Sequence, residues 1–162
     1  MHILLPKQEI LINHIKLNLM EQETERTPSF FRFEDLRVYD KSLDYMEWVF
    51  NTTRLFPGDE AKSLTQGFNS AAMAVSLNIA EGSARNKTQF IYYLKVAKSA
   101  VRECVVYTTI ADKQGLLTED QVEESRNTLM EMTKMIGALI GSLQKSNAKK
   151  KSQQRSEVEV EY

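Results

Sequence analysis

The sequence predicts an all-α protein, an antiparallel up-and-down four-helix bundle with flexible N- and C-terminal extensions. Two observations support this prediction. Apolar residues recur at helical spacing in four long segments, and the short stretches between these segments contain glycine or proline. The periodic region lacks the period-2 alternation that is typical of a half-buried strand.

Length and composition are those of one folded domain with polar ends. The chain has 162 residues, of which 42% are apolar, and none of its three prolines lies inside a long periodic segment. We therefore expect an N-terminal extension and linker over residues 1–29, the bundle over residues 30–144, and a disordered charged tail over residues 145–162.

The N-terminal extension contains a short amphipathic segment. Its apolar residues are Ile10, Leu11, Ile15 and Leu19. The extension lacks the charged start, apolar run and cleavage site of a signal peptide, so we expect none. Met20 is a candidate start of translation. No apolar run approaches the roughly 20 residues needed to cross a bilayer. Because Cys104 is the one cysteine, we expect a cytoplasmic protein without a membrane partner.

The first predicted helix spans about residues 34–55 and has two apolar faces. Taking 100° per residue, one face covers about 80° of arc. It consists of Leu36, Tyr39, Leu43, Met46 and Phe50, and we assign it to the core. The second group, on the adjacent flank, consists of Val38, Tyr45, Trp48 and Val49. Because a bundle core needs only one stripe, we assign the second group to the interface of a homo-oligomer.

The second predicted helix spans about residues 64–81. Its inner face consists of Leu64, Phe68, Ala71, Ala72, Val75 and Ile79. Its many small residues permit the close approach of a neighbouring helix. Gly82 follows directly, and we place it as the C′ residue that takes positive φ.

The third predicted helix spans about residues 87–114, begins at a capping pair formed by Asn86 and Gln89, and stops at Gly115. Its inner face consists of Phe90, Leu94, Ala97, Val101, Cys104 and Thr108. The fourth helix begins with a capping box from Thr118 to Gln121 and ends near residue 144. Its inner face consists of Val122, Leu129, Met132, Ile136, Leu139, Ile140 and Leu143.

Several short motifs follow one another along the chain. The strongest is Asn78-Ile79-Ala80-Glu81-Gly82, preceded by Leu64-Thr65 and Ala71-Ala72. The others are Phe33-Glu34-Asp35-Leu36-Arg37-Val38-Tyr39, Phe56-Pro57, the set Phe90, Leu94, Ala97 and Glu103, and Gly115-Leu116-Leu117-Thr118. Over about residues 30–144 these motifs resemble the four helix bundle protein family, which is encoded by intervening sequences inside 23S ribosomal RNA genes of some bacteria.

The resemblance implies a homo-oligomer, often a pentameric ring, that binds RNA or protein. A related branch, the accessory variability proteins of diversity-generating retroelements, implies a reverse transcriptase and nucleic acid as partners. Members of the family usually carry two arginines before the paired alanines of the second helix. This chain has Asn69 and Ser70 at those positions, which weakens the inference of nucleic-acid binding.

Asn78 and Glu81 lie three residues apart and share a face of the second helix. Two interpretations are open: the residues form a functional polar site, or they form a structural element. In the structural interpretation, which we favour, Asn78 bonds across the bundle and Glu81 pairs with a cation such as Arg85. Glu81→Gln is then expected to lower stability or to disturb assembly.

The third helix carries a basic stripe within about 80° of arc, roughly a quarter-turn from its apolar face. It consists of Lys87, Lys95, Lys98, Arg102 and Lys113. Such a stripe can contact the phosphates of RNA or DNA, and it can equally be a solvated charged face. The net charge of −1 gives the whole molecule no strong attraction for nucleic acid.

Asp40, Asp44 and Glu47 share one face of the first helix, and paired carboxylates occur in di-iron bundles. Such a site also needs a Glu-x-x-His motif on two helices, whereas His2 and His14 both precede the bundle. We therefore expect no metal, no cofactor and no catalytic residues. The sequence favours a non-enzymatic oligomeric interaction protein that binds RNA or DNA through the basic stripe. The alternative is a structural or protein-binding scaffold without a nucleic-acid role.

Overall fold

The computed structural model describes the backbone of residues 29–159, and the side chains of this range apart from 60, 147 and 149–159. Its described residues form helices and turns and contain no strand, which confirms the predicted all-α class. Two 3-10 turns, Arg32–Asp35 and Asp59–Ala61, precede the first and second helices. The four helices are α1 (Arg37–Thr53), α2 (Lys62–Ser83), α3 (Lys87–Lys113) and α4 (Glu119–Glu159).

The chain divides into two compact units, residues 1–32 and residues 33–162. Of the first unit the structure describes residues 29–32, where the rings of Phe30 and Phe31 meet edge to face with centroids 5.2 Å apart. The amphipathic segment predicted over residues 10–19 lies outside the described residues. The second unit contains all four helices.

The four helices form a closed bundle. α1 packs on α2, α2 on α3 and α3 on α4, and α4 returns to pack on α1. Because each loop is short, consecutive helices run antiparallel, which is the predicted up-and-down topology. The described helices of this unit therefore bury their apolar faces against one another, and the outward faces are left for contact with other molecules.

The core faces predicted for α2, α3 and α4 are confirmed, apart from Leu64 and Val122, which are half-buried and lie outside the core cluster. The largest fully buried side chains of these helices are Phe68, Val75, Ile79, Leu94, Val101, Cys104, Thr108, Leu129, Met132 and Ile136. On each of these helices the predicted stripe is the face that the structure buries. Phe90, Leu139, Ile140 and Leu143 are half-buried and pack against the rim of this core.

The structure interchanges the two apolar faces of α1. Val38, Tyr45 and Val49, which we assigned to a subunit interface, lie in the core with exposed fractions of 4%, 2% and 0%. Phe50, which we assigned to the core, is 41% exposed, and the rest of its stripe is half-buried. The predicted interface is therefore wrong, since these three side chains are already covered by the same chain. Trp48 is half-buried and bonds to α4.

Buried hydroxyls account for this error. Ser42 and Thr53 lie in the core on the same face as the buried apolar residues of α1, so that face reads as less apolar than its neighbour. Ser42 Oγ donates to the Tyr39 carbonyl oxygen at 2.6 Å, and Thr53 Oγ1 donates to Asn69 Oδ1 on α2 at 3.0 Å. A hydroxyl whose hydrogen bond is made inside the protein can be buried at little cost.

Gly82 is not a helix-ending residue with positive φ, as we predicted. It lies inside α2, and among the described glycines positive φ occurs at Gly58 and Gly115. A Cβ atom at Gly82 would lie 2.6 Å from Tyr93 Cβ and 2.8 Å from Phe90 Cδ2 on α3. The glycine is therefore required by the close approach of α2 and α3 rather than by a turn.

The predicted caps of α3 and α4 are confirmed. Asn86 Oδ1 accepts a hydrogen bond from the Gln89 amide at 3.0 Å. At the start of α4, Thr118 Oγ1 accepts from the Gln121 amide at 3.2 Å, while Gln121 Oε1 accepts from the Thr118 amide at 2.9 Å. Between these helices Gly115 takes a φ of 66°, as expected of a residue that stops a helix.

Helix α4 continues to Glu159, about four turns beyond the end that we predicted near residue 144. The predicted disordered tail over 145–162 is therefore helical as far as Glu159. No glycine or proline follows Gly141, and lysine and glutamine are good helix formers, so nothing in this segment terminates the helix.

Candidate functional site

The five basic residues predicted as a stripe lie along the outer side of α3. Lys95, Arg102 and Lys113 are exposed, whereas Lys87 and Lys98 are half-buried. From Lys87 to Lys113 the stripe extends for about 39 Å at a rise of 1.5 Å per residue. None of the five forms an ion pair within the described residues. Their charges are therefore not offset by direct carboxylate contacts.

Two hydrogen bonds place the stripe beside α4. Lys87 Nζ donates to Ser146 Oγ, and a guanidinium nitrogen of Arg126 on α4 donates to Thr109 Oγ1 on α3 at 2.9 Å. Arg126 thus adds a cation from a second helix, which no pattern within α3 indicates. The basic surface consequently follows the edge between α3 and α4.

Where α3 ends and α4 begins, this edge carries negative as well as positive charge. A surface cleft of about 490 Å³ surrounds Arg126, and its lining includes the carboxylates of Asp112, Glu119 and Glu123. These negative charges lower the local potential around Arg126. The three basic residues of the middle turns, Lys95, Lys98 and Arg102, therefore form the part of the stripe that is best suited to bind an anion.

An exposed aromatic side chain lies beside Lys95, the first of these three residues. Tyr92 is 63% exposed and precedes Lys95 by three residues, so the two side chains share one face of α3. Its ring meets that of Tyr93 edge to face, with centroids 5.5 Å apart. Aromatic rings beside cations are a common arrangement for stacking on nucleobases. We did not single out Tyr92 from the sequence, because its exposure is set by the packing of α3.

The two positions at which relatives usually carry arginines take different roles here. Asn69 is half-buried and accepts the hydrogen bond from Thr53 Oγ1, while Ser70 is exposed and uncharged. Asn69 thus connects α2 to α1. This part of α2 contributes no positive charge to the surface.

Our structural interpretation of the motif around Asn78 is confirmed for Glu81 but wrong for Asn78. Asn78 Nδ2 donates to the Ala74 carbonyl oxygen at 2.7 Å, so it bonds within α2 and not across the bundle. Glu81 does pair with Arg85, whose Nε donates to Glu81 Oε1 at 3.0 Å. Both partners of this pair are exposed. The pair therefore lies at the surface beside the C-terminal end of α2 and is not a buried polar site.

The polar groups of the core are hydrogen bonded or neutral. Burial raises the pKa of the Cys104 thiol to about 12, and the charge of Glu103 acts in the same direction. Burial also raises the pKa of the Tyr45 hydroxyl well above its usual range. Both groups therefore keep their protons at neutral pH, and Cys104 packs as a small apolar side chain.

The described residues contain neither a metal-binding cluster nor a membrane-spanning helix. Among the described side chains of residues 29–159, no group of three or more His, Cys, Asp or Glu is arranged to hold a metal ion. Within the same part of the chain, no helix is both long and apolar enough to cross a membrane.

The fold and the site define a small, four-helix-bundle protein with a basic outer edge. The family model of the 23S rRNA-intervening sequence protein matches residues 34–138, which include most of the bundle. The chain belongs to this family.

A protein of unknown function from the S23 ribosomal protein family of Bacteroides thetaiotaomicron has a similar fold in its crystal structure. It is 20% identical to this chain, the match covers 64% of this chain and 97% of that one, and the TM-score is 0.59. At this identity the similarity supports the fold alone. No curated protein matches the chain.

Proposed function

We propose that this chain is a non-catalytic, cytoplasmic interaction protein that binds single-stranded nucleic acid along the edge between α3 and α4. The observation that carries the proposal is the cluster of Lys95, Lys98 and Arg102, three cations on consecutive turns that form no ion pair within the described residues. Membership of the 23S rRNA-intervening sequence protein family supports RNA as the first ligand to test.

The expected mode of binding is electrostatic with added stacking. Each cation that neutralises a phosphate releases a condensed counterion, so affinity falls as salt rises. Three contacts to a single strand give a slope of about −2 in a plot of log K against log salt concentration. Tyr92 adds a ring on which a base can stack, and stacking does not depend strongly on base identity.

The test is a titration of fluorescently labelled single-stranded RNA and DNA followed by anisotropy at several salt concentrations. The triple substitution Lys95→Gln, Lys98→Gln and Arg102→Gln is expected to abolish most of the binding and to flatten its salt dependence. The matched control is Arg37→Gln, Arg54→Gln and Lys62→Gln, which removes three exposed cations elsewhere in the bundle. Equal loss in both variants, or no binding by the native protein at low salt, would refute the proposal.

We further propose that the chain self-associates through the outer faces of α1 and α2. The stripe displaced from the core leaves Met46 half-buried and Phe50 41% exposed on α1, and Leu77 on α2 is 65% exposed. Between Ser63 and Ala80, α2 contains no charged residue, although a solvated helix face usually carries several.

By their helical positions these residues lie along one outer side of the pair formed by α1 and α2. The hydrogen bond from Thr53 to Asn69 sets the register of the antiparallel pair, so that Met46 and Phe50 run beside the part of α2 that contains Met73 and Leu77. A second copy of the chain presents the same uncharged face, so two copies can pack against each other here without burying a charge. The family resemblance adds the expectation that the assembly is a ring of five.

Light scattering coupled to size-exclusion chromatography tests self-association directly. Phe50→Glu with Leu77→Glu is expected to reduce the mass of the native assembly to that of a single chain. Met130→Glu, which introduces one charge at a 48% exposed apolar site on α4, is the control and should leave the mass unchanged. A native protein of single-chain mass would contradict the proposal. It would then favour the alternative of a protein-binding scaffold that acts as a monomer.

A further inference from the structure

A cleft of about 140 Å³ opens on the side of the bundle between α1 and α4. Its volume is close to that of an engineered protein cavity that holds benzene, so it admits a group of about five or six heavy atoms. The cleft is distinct from the basic edge between α3 and α4. It is lined by Lys41, Asp44, Tyr45, Trp48, Glu124, Ser125 and Thr128.

The floor of the cleft is rigid because its hydroxyls bond to one another. Tyr45 and Ser125 have exposed fractions of only 2% and 0%, and their hydroxyl oxygens lie 2.8 Å apart. Ser125 Oγ lies a further 2.8 Å from Thr108 Oγ1, and Thr108 donates to the Cys104 carbonyl oxygen at 2.9 Å. Hydrogen bonds among buried hydroxyls favour a floor that is already formed before a ligand binds.

An aromatic wall rises from this floor. The indole of Trp48 stacks on the ring of Tyr45 with centroids 5.7 Å apart and an interplanar angle of 16°. Trp48 Nε1 donates to Glu124 Oε2 on α4 at 2.9 Å, which fixes the orientation of the indole. The hydrogen bond also places a carboxylate at the edge of the aromatic wall.

The charge around the cleft favours a cation. Its lining contains two carboxylates, Asp44 and Glu124, and one ammonium group, that of Lys41. Lys41 Nζ forms an ion pair with Glu131 on α4, outside the lining, and this hydrogen bond lowers the pKa of the Glu131 carboxyl group. Within the described residues neither Asp44 nor Glu124 forms an ion pair.

We propose that this cleft binds an aliphatic ammonium or guanidinium group. The combination of a tryptophan ring and two carboxylates without ion-pair partners is suited to such a cation. The indole face opposite the one that stacks on Tyr45 attracts the cation through its π electrons, and the carboxylates attract it through charge. A guanidinium group contains four heavy atoms and fits within the volume of the cleft. The group is carried either by a free diamine or by a lysine or arginine side chain of another polypeptide.

The position of Trp48 makes the proposal directly measurable. It is the only tryptophan of the chain, so its fluorescence reports on this cleft alone. The titrants are putrescine, agmatine and the capped peptide acetyl-Gly-Arg-Gly-amide, at constant ionic strength, with 1,4-butanediol as the uncharged comparison. Saturable changes with the cations and none with butanediol are expected. A response to the peptide alone assigns the cleft to a protein partner, and a response to the diamines alone to a small metabolite.

Charge-removing variants test whether the carboxylates are responsible. Glu124→Gln keeps an acceptor for Trp48 Nε1 but removes the charge, and it is expected to weaken binding about fivefold. Asp44→Asn is expected to act in the same direction. Glu123→Gln is the matched control with unchanged affinity, because Glu123 lines the cleft on the other side of α4. The absence of a saturable response in the native protein, or equal affinity in Glu124→Gln, would overturn the proposal.

Discussion

The hydroxyl of Tyr45 on α1 meets the hydroxyl of Ser125 on α4 at 2.8 Å, at the end of a chain of hydrogen bonds that crosses the core. The direction of this chain follows from its far end. Thr108 donates its proton to the Cys104 carbonyl oxygen, so its oxygen accepts from Ser125, and the Ser125 oxygen in turn accepts from Tyr45. Tyr45 is therefore the donor at this end of the chain of hydrogen bonds.

This direction predicts unequal costs for two substitutions. Tyr45→Phe removes a donor and leaves the Ser125 oxygen with its bond to Thr108, so we expect the free energy of unfolding to fall by about 1 kcal/mol. Ser125→Ala leaves the buried Tyr45 hydroxyl without its acceptor, and we expect a loss of about 1–3 kcal/mol. Urea unfolding of both variants and of the double variant measures these values. A double variant as costly as the sum of the two would contradict the coupling.

The close approach of α2 and α3 predicts opposite effects for two glycine-to-alanine substitutions. Gly82→Ala places a Cβ against Tyr93 Cβ and Phe90 Cδ2, and we expect it to destabilise the protein by about 1–3 kcal/mol. Gly137→Ala lies inside α4 with no atom within 4 Å of the new Cβ, so the higher helix propensity of alanine should stabilise by up to about 1 kcal/mol. Thermal unfolding followed by circular dichroism compares them. Equal shifts would show that Gly82 has no packing role.

The buried thiol predicts that stability falls at alkaline pH. The unfolded chain releases the Cys104 proton near pH 9, whereas the folded chain keeps it until about pH 12. The stabilisation is therefore complete below about pH 9 and is lost as pH rises towards 12, with a limiting slope of about 1.4 kcal/mol per pH unit. Urea midpoints at pH 8, 9 and 10 measure the decline. Cys104→Ala should show a shallower decline than the native protein, and parallel curves would exclude this assignment.

The exposed pair of Glu81 and Arg85 predicts little effect on stability. Both side chains are in contact with solvent, where ion pairs contribute little. We expect the melting temperature of Glu81→Gln to equal that of the native protein within error, although the sequence interpretation predicted a loss. The apparent mass from light scattering should also be unchanged. A clear fall in either quantity would restore a larger structural role for the motif.

The number of helices, the caps of α3 and α4, and most of three of the four core faces were predictable from local patterns. Asn86, Thr118 and Gly115 act within a turn or two of their own positions, so their roles follow from neighbours in the chain. The basic stripe was predictable for the same reason, because α3 alone sets its spacing.

Other features depend on which surfaces meet in space, and there the sequence by itself was insufficient. Two apolar faces on α1 compete for the core, and the choice is made by the fit of Tyr45 and Val49 against neighbouring helices. The role of Gly82 depends on the distance to α3, and the cleft beside Trp48 exists only where α1 and α4 come together. Periodicity encodes which residues share a face of a helix, whereas packing between helices decides which face is buried and what lies opposite it.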